Sequence, residues 1–392
     1  MSNADEFEQN KKVLVIGGSG FYGRYLVNDF LQHTSADITI ASRNPMTSEW
    51  RDADRVHLTK CDIYDLTALE QLVRFFDVVV HCGGPFQKLP LNPVRAAIAA
   101  RVNYVDISED RVFHNEVTKM GRAIKESGIT VLSGMSVAPA MEILFAGLMQ
   151  NCFDSLISVR TFAAPDTHKH RGKAMFHTML SGVGRSFFQP KNGVLRKVWG
   201  WTEPEWVEFP PPLGKRLTHL VLEMADLDLL PELYDVKTVE FKAGTEWTFL
   251  NRLLGLAAGI RKLTGYPKWE NFTPIIRLFS WIVGRFGKDE GGVIFELGGI
   301  SKGVFITHQV AVIARQDGGL IPSVLASIGV KKLISKKMPV NGIVPLNKWI
   351  SSEELVRELV SRDLEIWWKP HDIKQWLLFD FNDYQRYIVR KS

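Results

Sequence analysis

The chain has 392 residues, of which 45% are hydrophobic and 23% are charged, and its formal net charge at pH 7 is +5. This length is enough for two domains of ordinary size, and the composition is that of a globular protein. A charge of +5 over so long a chain does not indicate a nucleic-acid partner. The three cysteines follow no metal-binding spacing, and so small a set argues against a disulfide framework and favours a reducing compartment.

Two further features bear on location. Residues 1–10 are polar and acidic, without the basic segment and apolar core that define a signal peptide. No apolar run of the sequence reaches the length of a membrane span. We therefore expect a cytoplasmic protein without a transmembrane segment.

The first 135 residues alternate between short apolar runs and segments with helical spacing. The predicted strands are 13–16, 38–40, 56–58, 77–80, 103–106 and 129–132. The predicted helices are 22–31, 65–76, 92–100 and 113–127, and Gly128 ends the last one as a C-cap. Because strands that alternate with helices form parallel sheets through right-handed crossovers, we predict an α/β fold with a Rossmann doubly wound parallel sheet over 1–137.

The pattern changes after residue 137, and an inserted α+β substrate or dimerisation domain is predicted over 138–335. Its predicted elements include a helix at 141–149 and long strands at 157–163 and 237–243. Residues 336–392 are predicted as a C-terminal helical segment that returns to the Rossmann domain. Within it, an amphipathic helix over 349–362 is expected to begin at Ser351 or Ser352.

Residues 247–286 are rich in Leu, Ile, Trp and Phe, with scattered Arg and Lys. This pattern predicts two amphipathic helices. Two interpretations stay open for their apolar residues: packing in the core and a lid, or a surface for lipid or a partner subunit.

The strongest motif is the glycine-rich segment that follows the first predicted strand and opens the first predicted helix. It consists of Gly17, Gly18, Ser19, Gly20, Phe21, Tyr22 and Gly23, and it satisfies the G-x-G-x-x-G spacing. Glycines at these positions permit a tight turn, close approach of the backbone to a pyrophosphate, and close packing of helix on strand. The helix N-terminus then offers N–H groups to the phosphates. We predict a dinucleotide-binding site here.

The end of the second predicted strand favours NADP(H) over NAD(H). NAD enzymes usually place an acidic residue there to bind the ribose 2′-hydroxyl, but this chain has Ser42 and Arg43. A hydroxyl and a guanidinium suit a 2′-phosphate. Asp62, after the third strand, is a candidate for the adenine end of the cofactor, or a cap of the next turn.

Three further strand ends are expected at the same edge of the sheet, where ligands bind in open α/β folds. The fourth predicted strand leads into Gly83, Gly84, Pro85 and Phe86, whose glycines would let the backbone approach the nicotinamide ring. The fifth leads into residues 103–110, and the sixth into 133–140.

These motifs resemble those of the saccharopine dehydrogenase-like (saccharopine reductase) family. The similarity is carried by GGSGFYG at 17–23, CGGPF at 82–86, NYVDISED at 103–110 and SGMSVAPA at 133–140, and weaker similarity continues towards residue 362. It implies a Rossmann domain completed by C-terminal helices, an inserted domain with a largely antiparallel sheet, and NAD or NADP as cofactor. The chain departs from saccharopine reductases at 86–90 and in its second domain, so saccharopine is not the substrate we expect.

In the light of this resemblance, Asp106 and Tyr104 are predicted to face the substrate or the nicotinamide. Asp106 would orient a substrate amine or relay a proton, or it caps the next turn. Lys88 would donate a proton or bind a carboxylate, or it is a solvated lysine.

Other chemistries have less support. His168, His170 and His177 lack the accompanying ligands of a metal site, so no metal is expected. There is no G-x-S-x-G elbow for a serine hydrolase.

The sequence thus predicts an NADP(H)-dependent oxidoreductase that transfers hydride to an imine, carbonyl or activated alkene of a small or lipid-like substrate. A non-catalytic NADPH-binding partner or sensor protein is the alternative. Peripheral contact with a membrane and a homodimer are both left open.

Overall fold

The computed structural model describes residues 11–45, 50, 53–168, 173–266, 268–274, 285, 287–338 and 341–391. The chain divides into two units. The first consists of Met1–Met141 with Pro322–Trp349, and the second of Glu142–Ile321 with Ile350–Ser392. The prediction for 1–10 and part of that for 247–286 therefore fall outside the described residues.

The first unit is built on a parallel sheet of seven strands. These are β1 (Lys12–Ile16), β2 (Asp37–Ser42), β3 (Val56–Lys60), β4 (Val78–His81), β5 (Asn103–Asp106), β6 (Thr130–Leu132) and β15 (Gly342–Ile343). Their order is β15-β6-β5-β4-β1-β2-β3, with every neighbouring pair parallel. The six predicted strands and the Rossmann strand order are confirmed, and the order reverses between β1 and β4, where such sheets bind ligands.

Helices cover this sheet on both faces. They are α1 (Phe21–His33), α2 (Leu66–Val73), α3 (Asn92–Ala100), α4 (Arg111–Lys119), α5 (Gly121–Ser127) and α10 (Val324–Ile334). Because the inner strands are buried on both faces, they read as continuous apolar runs rather than alternating ones. The predicted single helix at 113–127 is wrong in one respect: it is interrupted at Met120, before Gly121, a residue type that weakens helices.

Helix α10 comes late in the chain yet belongs to the first unit. It contacts α1, β4 and β5. Ser327 of α10 donates a hydrogen bond to the buried carboxylate of Asp29 in α1, 298 residues away in sequence. This contact ties the returning chain to the helix that follows the glycine loop.

The second unit contains a mixed sheet of eight strands in the order β10-β11-β12-β7-β13-β14-β16-β17. The strands are β7 (Ser155–Ala164), β10 (Glu205–Phe209), β11 (Gly214–Leu220), β12 (Thr238–Ala243), β13 (Gly291–Ser301), β14 (Val304–Ala314), β16 (Leu364–Lys369) and β17 (Leu377–Leu378). The β7–β12 pair is parallel and the other pairs are antiparallel. A separate hairpin is formed by β8 (Ser186–Lys191) and β9 (Val194–Trp199).

The helices of the second unit are α6 (Glu142–Met149), α7 (Lys173–Gly182), α8 (Asp226–Tyr234), α9 (Thr248–Thr264), α11 (Ser352–Val360) and α12 (Phe381–Lys391). The predicted helices at 141–149 and 349–362 are confirmed, and the Ser351 hydroxyl caps α11 by accepting a hydrogen bond from the Glu354 N–H at 3.2 Å. The first of the two helices predicted in 247–286 is α9. Residues 275–284 and 286, from which the second would be built, are not described.

The C-terminal segment 336–392 differs from its prediction. Only β15 and the residues up to Trp349 return to the first unit, whereas β16 and β17 extend the second sheet. Residues Leu364–Lys369 alternate between buried and half-buried, which is the period of a strand.

A cluster of charged residues joins four strands of the second sheet. Arg160 of β7 donates hydrogen bonds to Glu240 of β12 at 2.9 Å, to Glu296 of β13 at 2.7 Å, and to Glu205 of β10. Glu240 and Glu296 are its direct cross-strand neighbours. Lys242 adds a 2.6 Å contact to Glu205 and Lys191 a 3.1 Å contact to Glu240, so these cations share the three carboxylates with Arg160.

Among the described residues, no helix combines the length and apolar character that a membrane crossing requires.

Candidate functional site

The loop between β1 and α1 has no space for side chains at two of its glycines. A Cβ atom on Gly17, whose φ is +84°, would lie 2.5 Å from the backbone nitrogen of Gly83 in the loop after β4. A Cβ atom on Gly23 would lie 2.3 Å from the carbonyl oxygen of Gly17. The turn itself is closed by the N–H of Gly20, which donates to the Gly17 carbonyl at 2.8 Å. Glycine is therefore required for the close packing of two strand-end loops and the start of α1.

The N-terminus of α1 is suited to an anion. Gly20 is its N-cap and contributes no side-chain cap, and the first turn contains no acidic residue. Phe21 and Tyr22 begin the helix, with their rings edge to face at 5.1 Å, and Ser19 precedes them with a partly exposed surface. The first-turn N–H groups and the helix dipole favour a phosphate at this end. Gly18, at the base of the loop, is buried against Ile40.

The ends of β2 and β3 carry the residues predicted to select the cofactor. Ser42 is the last residue of β2, and its hydroxyl is buried without a hydrogen-bond partner among the described residues. Arg43 follows it and is exposed. Asp62, two residues beyond β3, is also exposed, and its carboxylate accepts a hydrogen bond from the Tyr64 N–H at 3.1 Å. These residues follow adjacent parallel strands at the edge of the sheet that the glycine loop occupies.

The loop after β4 lies against the glycine loop on the other side of β1. Gly83 and Gly84 are half-buried and exposed, respectively, and Pro85 precedes a short helical turn, Phe86–Lys88. The Phe86 ring packs edge to face on His81, at 4.9 Å between centroids. This contact fixes the loop on the sheet.

Two of the three predicted catalytic residues are completely buried. Tyr104 and Asp106 of β5 are both 0% exposed. One oxygen of Asp106 accepts hydrogen bonds from the Ser108 N–H at 3.0 Å and the Gly134 N–H at 2.9 Å. Asp106 thus ties the loop after β5 to the loop after β6, which is the capping role that the sequence left open.

The third predicted residue, Lys88, differs from Tyr104 and Asp106 in its exposure to solvent. It is exposed, at the end of the turn after β4, and its carbonyl oxygen accepts a hydrogen bond from the Tyr64 hydroxyl at 3.1 Å. The structure therefore does not group the three predicted catalytic side chains around one exposed point.

Burial changes the titration of Asp106 and its neighbours. It raises the pKa of Asp106 to about 6, against the opposing effect of hydrogen bonds from Gly134, Ser108 and the nearby hydroxyls of Ser133 and Tyr104. Burial also raises the pKa of Tyr104 well above its usual value.

His81 extends this buried polar group. Its Nδ1 lies 3.2 Å from the Tyr104 hydroxyl, and burial lowers its pKa to about 3, so the imidazole is neutral. Sequence reasoning did not identify His81, because a single histidine at the end of an apolar strand has no distinguishing pattern.

Glu109 is a functional candidate that sequence reasoning did not single out. It follows β5 in the same motif as Asp106, and one of its carboxylate oxygens accepts a hydrogen bond from the Ser136 hydroxyl at 2.8 Å. Burial of the carboxyl raises its pKa to about 7, opposed by bonds from Ser136 and the Ala138 backbone. The residue as a whole keeps a partly exposed surface. A carboxyl group with a pKa near neutrality, on a residue with a partly exposed surface, is suited to proton transfer.

No arrangement of three or more His, Cys, Asp or Glu side chains that could hold a metal ion occurs in the part of the chain that the structure describes. His170, one of the three histidines considered above, lies outside that part.

Comparisons with known proteins agree with this geometry. Residues 13–132 match the family described as the saccharopine dehydrogenase NADP binding domain. None of the curated protein sequences matches the chain.

Two solved structures match this chain over most of its length. Saccharopine dehydrogenase (L-Glu forming) from Saccharomyces cerevisiae is 15% identical, with a TM-score of 0.64 over 92% of this chain and 100% of that one. The DAP dehydrogenase of C. glutamicum is 14% identical, with a TM-score of 0.45 over 90% of this chain and 99% of that one.

The parallel sheet, its strand order and the glycine loop define a Rossmann-like fold of the α/β class, in which ligands bind at this edge of the sheet. The match of residues 13–132 makes this part of the chain similar to the saccharopine dehydrogenase NADP binding domain.

Proposed function

We propose that this protein is an NADP(H)-dependent reductase that transfers hydride to an imine, carbonyl or activated alkene. The observation that carries the proposal is the close backbone packing at Gly17 and Gly23. Beside it, the N-terminus of α1 has no side-chain cap. A pyrophosphate fits such a cradle because the N–H groups bind it without competition from side chains. The bound cofactor would supply the hydride, and the protein its orientation.

The preference for NADP(H) rests on Ser42 and Arg43. Both follow β2 beside the glycine loop, and no acidic residue takes the place of the ribose-binding carboxylate of NAD enzymes. An exposed guanidinium can pair with a 2′-phosphate, and the unpartnered Ser42 hydroxyl can donate to the same group. Asp62 would then lie towards the adenine.

We assign the proton-transfer role to Glu109 rather than to Asp106 or Tyr104. Reduction of a carbonyl or imine requires a proton donor, and Glu109 has a pKa of about 7 and a partly exposed surface. Asp106 and Tyr104, which are fully buried, act instead as positioning residues that hold the two loops of the site. Gly83, Gly84 and Lys88 remain candidates for contact with the nicotinamide and substrate.

The complete burial of Asp106 and Tyr104 favours a second candidate, a protein that binds NADPH without catalysis. In that case Asp106, Tyr104 and His81 have a structural role only, and Glu109 transfers no proton to a substrate.

Calorimetric titration of the purified chain with NADPH and NADH tests the cofactor proposal. We expect saturable binding of NADPH that is tighter than that of NADH. If a folded sample binds neither, the oxidoreductase assignment is wrong. NADPH oxidation assayed against a panel of imines, ketones and enones separates the two candidates, because the non-catalytic protein would bind NADPH and oxidise none of them faster than buffer does.

A further inference from the structure

Helix α9 exposes five of its large apolar side chains. Phe249, Leu253, Leu256, Ile260 and Leu263 recur at intervals of four and three residues, and each is between 42% and 86% exposed. This set, which we name the apolar stripe, occupies one face of the helix. Helices of globular proteins normally direct such a face to the core. Within the part of the chain that the structure describes, the apolar stripe is therefore an exposed surface.

The inward face of α9 contacts the rest of the unit through residues that do not belong to the apolar stripe. Asn251 is fully buried, and its amide donates to the carbonyl oxygens of Leu217 at 3.1 Å and Thr245 at 2.8 Å. Ala258 packs in a small core cluster with Val183 and neighbouring apolar residues. Leu254 packs against the same cluster, so the inward face of α9 is held by Asn251, Leu254 and Ala258, none of which belongs to the apolar stripe.

The charge on helix α9 itself has a single sign. The helix contains Arg252, Arg261 and Lys262 but no Asp or Glu. Glu203, which borders the same cavity as Arg252, is a nearby carboxylate outside the helix. Arg261 donates to backbone carbonyl oxygens of α7 and its following turn, whereas Arg252 and Lys262 are exposed. This surface is electrostatically complementary to an anionic one.

Tryptophan–lysine pairs occur beside this helix. The ammonium groups of Lys262 and Lys197 lie 4.2 Å and 5.9 Å from the ring centre of Trp199. Trp206, which is 47% exposed, borders a cavity of about 540 Å³ together with Arg252 of the helix, and Lys215 lies 5.4 Å from its ring centre. Tryptophan and lysine combine an apolar body with a polar end, which suits the boundary between water and lipid.

The same charges disfavour a second copy of the chain as the partner. Helices that pair through stripes with this heptad-like spacing usually add salt bridges between opposite charges at the flanking positions. Here the flanking charges are all positive, so two copies of α9 would bring like charges together. An anionic lipid surface has no such conflict.

We propose that the apolar stripe of α9 and its surrounding cations bind the protein to the surface of a membrane rich in anionic lipid. The helix lies in the plane of the headgroups, with the stripe inserted among the acyl chains and Arg252 and Lys262 against the phosphates. The contact is peripheral, and it is independent of the oxidoreductase proposal because none of its residues belongs to the glycine loop or its edge of the sheet.

Co-sedimentation of the full chain with vesicles tests this proposal. We expect binding to phosphatidylcholine vesicles that contain phosphatidylserine, much weaker binding to phosphatidylcholine alone, and a decrease with added salt. Leu256→Glu and Leu263→Glu should each weaken binding about tenfold or more, since each puts a charge in place of an apolar group that would insert among the acyl chains. Lys262→Glu should weaken binding to the anionic vesicles alone. Phe75→Glu, which changes a 68% exposed residue of the first unit, is the matched control and should bind as the unchanged protein does.

Thermal unfolding and NADPH titration of each variant show that the fold is retained, which the exposure of the substituted residues leads us to expect. The proposal is overturned if the unchanged protein binds no vesicles at low ionic strength. It is also overturned if Leu256→Glu converts a dimer to a monomer without any vesicle binding in either form, because the stripe is then an interface between copies. Equal binding by Leu256→Glu, Phe75→Glu and the unchanged chain would remove the stripe from the membrane contact.

Discussion

The carboxylate of Asp106 accepts a hydrogen bond from the backbone N–H of Gly134 at 2.9 Å, across 28 residues of chain. The same oxygen accepts from the Ser108 N–H, so one buried side chain fixes two strand-end loops. These loops carry Glu109 and Ser136, which are themselves joined by a hydrogen bond. The position of the proposed proton donor thus depends on a residue that has no exposed surface of its own.

Two replacements of Asp106 should distinguish the contribution of its hydrogen bonds to stability from the contribution of its charge. Asp106→Ala leaves two buried N–H groups without an acceptor and should cost about 2–4 kcal/mol of unfolding free energy. Asp106→Asn keeps the acceptor oxygen and should cost much less. Urea unfolding of the apo protein measures both, and equal losses would show that the two hydrogen bonds are not what stabilises the loops.

The raised pKa of Asp106 also predicts a dependence of stability on pH. Its pKa is raised by burial from 3.8 to about 6, so the folded state binds the proton more tightly than the unfolded state. The resulting stabilisation is complete below about pH 4 and is lost as the pH rises through 6, a change of about 3 kcal/mol. Asp106→Asn should remove this component from the pH profile of unfolding, whereas the exposed Asp54→Asn should retain it. A profile that Asp106→Asn leaves unchanged would contradict the assignment.

The glycine loop can be tested at two positions with different geometry. Gly23→Ala places a methyl group within 2.3 Å of the Gly17 carbonyl oxygen, so the loop must move and NADPH affinity should fall at least about tenfold. Gly20 has an ordinary φ of −75°, so Gly20→Leu should keep the fold while its side chain obstructs the phosphate position. The control is Gly121→Ala, where the nearest atom is a side-chain methyl at 3.6 Å. Calorimetry that finds normal NADPH affinity in both loop variants would reject the loop as the pyrophosphate site.

Arg43 should discriminate between the two nicotinamide cofactors. Arg43→Ala removes a charged hydrogen bond to the 2′-phosphate, which is worth about 1.5–3 kcal/mol, so NADPH affinity should fall roughly 10- to 100-fold. NADH lacks this phosphate, and its affinity should change little. Arg122→Ala, which removes an equal charge from the surface of α5, serves as the control. Equal losses for both cofactors would refute contact with the 2′-phosphate.

Glu109→Gln should suppress turnover without affecting cofactor binding. The neutral amide cannot donate the proton, and loss of general acid catalysis typically costs about 10²–10⁴ in rate. In the unchanged protein, reduction should slow as the pH rises through the Glu109 pKa of about 7, because the carboxyl group becomes ionised. This decline of the rate above about pH 7 should be absent from the pH profile of the residual activity of Glu109→Gln. Glu116→Gln on the surface of α4 is the control, and the same pH–rate profile in Glu109→Gln as in the unchanged protein would exclude Glu109 as the donor.

In the second unit, Arg160 should be more important for stability than any exposed ion pair. Arg160→Met leaves Glu205, Glu240 and Glu296 facing each other, and breaking a part-buried cluster of this kind costs about 3–5 kcal/mol. Arg315→Met, just after β14, breaks the exposed pair with Glu365 and should cost far less, because solvent screens such a pair.

The cost of Arg160→Met should depend on pH. Burial alone would raise the pKa of Glu240, but its hydrogen bond and attraction to Arg160 lower it below 4.5. The unchanged protein therefore gains stability above pH 4.5 and loses it as the pH falls. The deficit of the variant should shrink at low pH, since protonation removes the repulsion between carboxylates. A deficit that is constant with pH would indicate lost packing instead.

The sequence alone determined the six N-terminal strands of the first unit and its glycine loop. Their apolar runs and glycine spacing are local patterns that lie where they were predicted, because the strands of a parallel sheet are buried on both faces. The break between α4 and α5 and the contribution of α10 and β15 to this unit were not predicted. Ser42, Arg43, Asp62 and the Gly83–Phe86 loop were placed at one edge of the sheet by the general rule that ligands bind at strand carboxyl ends. The structure puts them there.

Only the tertiary structure decided which side chains are buried at that edge and which elements close each sheet. Tyr104 and Asp106 are alternate residues of β5, a spacing that is compatible with either a catalytic or a structural role. Only the packing of the folded chain shows that both side chains are buried, whereas Glu109 keeps a partly exposed surface. Likewise, β16 joins the second sheet through pairing with β14, some 50 residues away in sequence, and α9 exposes Leu253, Leu256 and Leu263 because Asn251, Leu254 and Ala258 occupy its inward face. Burial, pKa values and strand pairing depend on contacts between residues that are distant in sequence, and local sequence patterns do not specify those contacts.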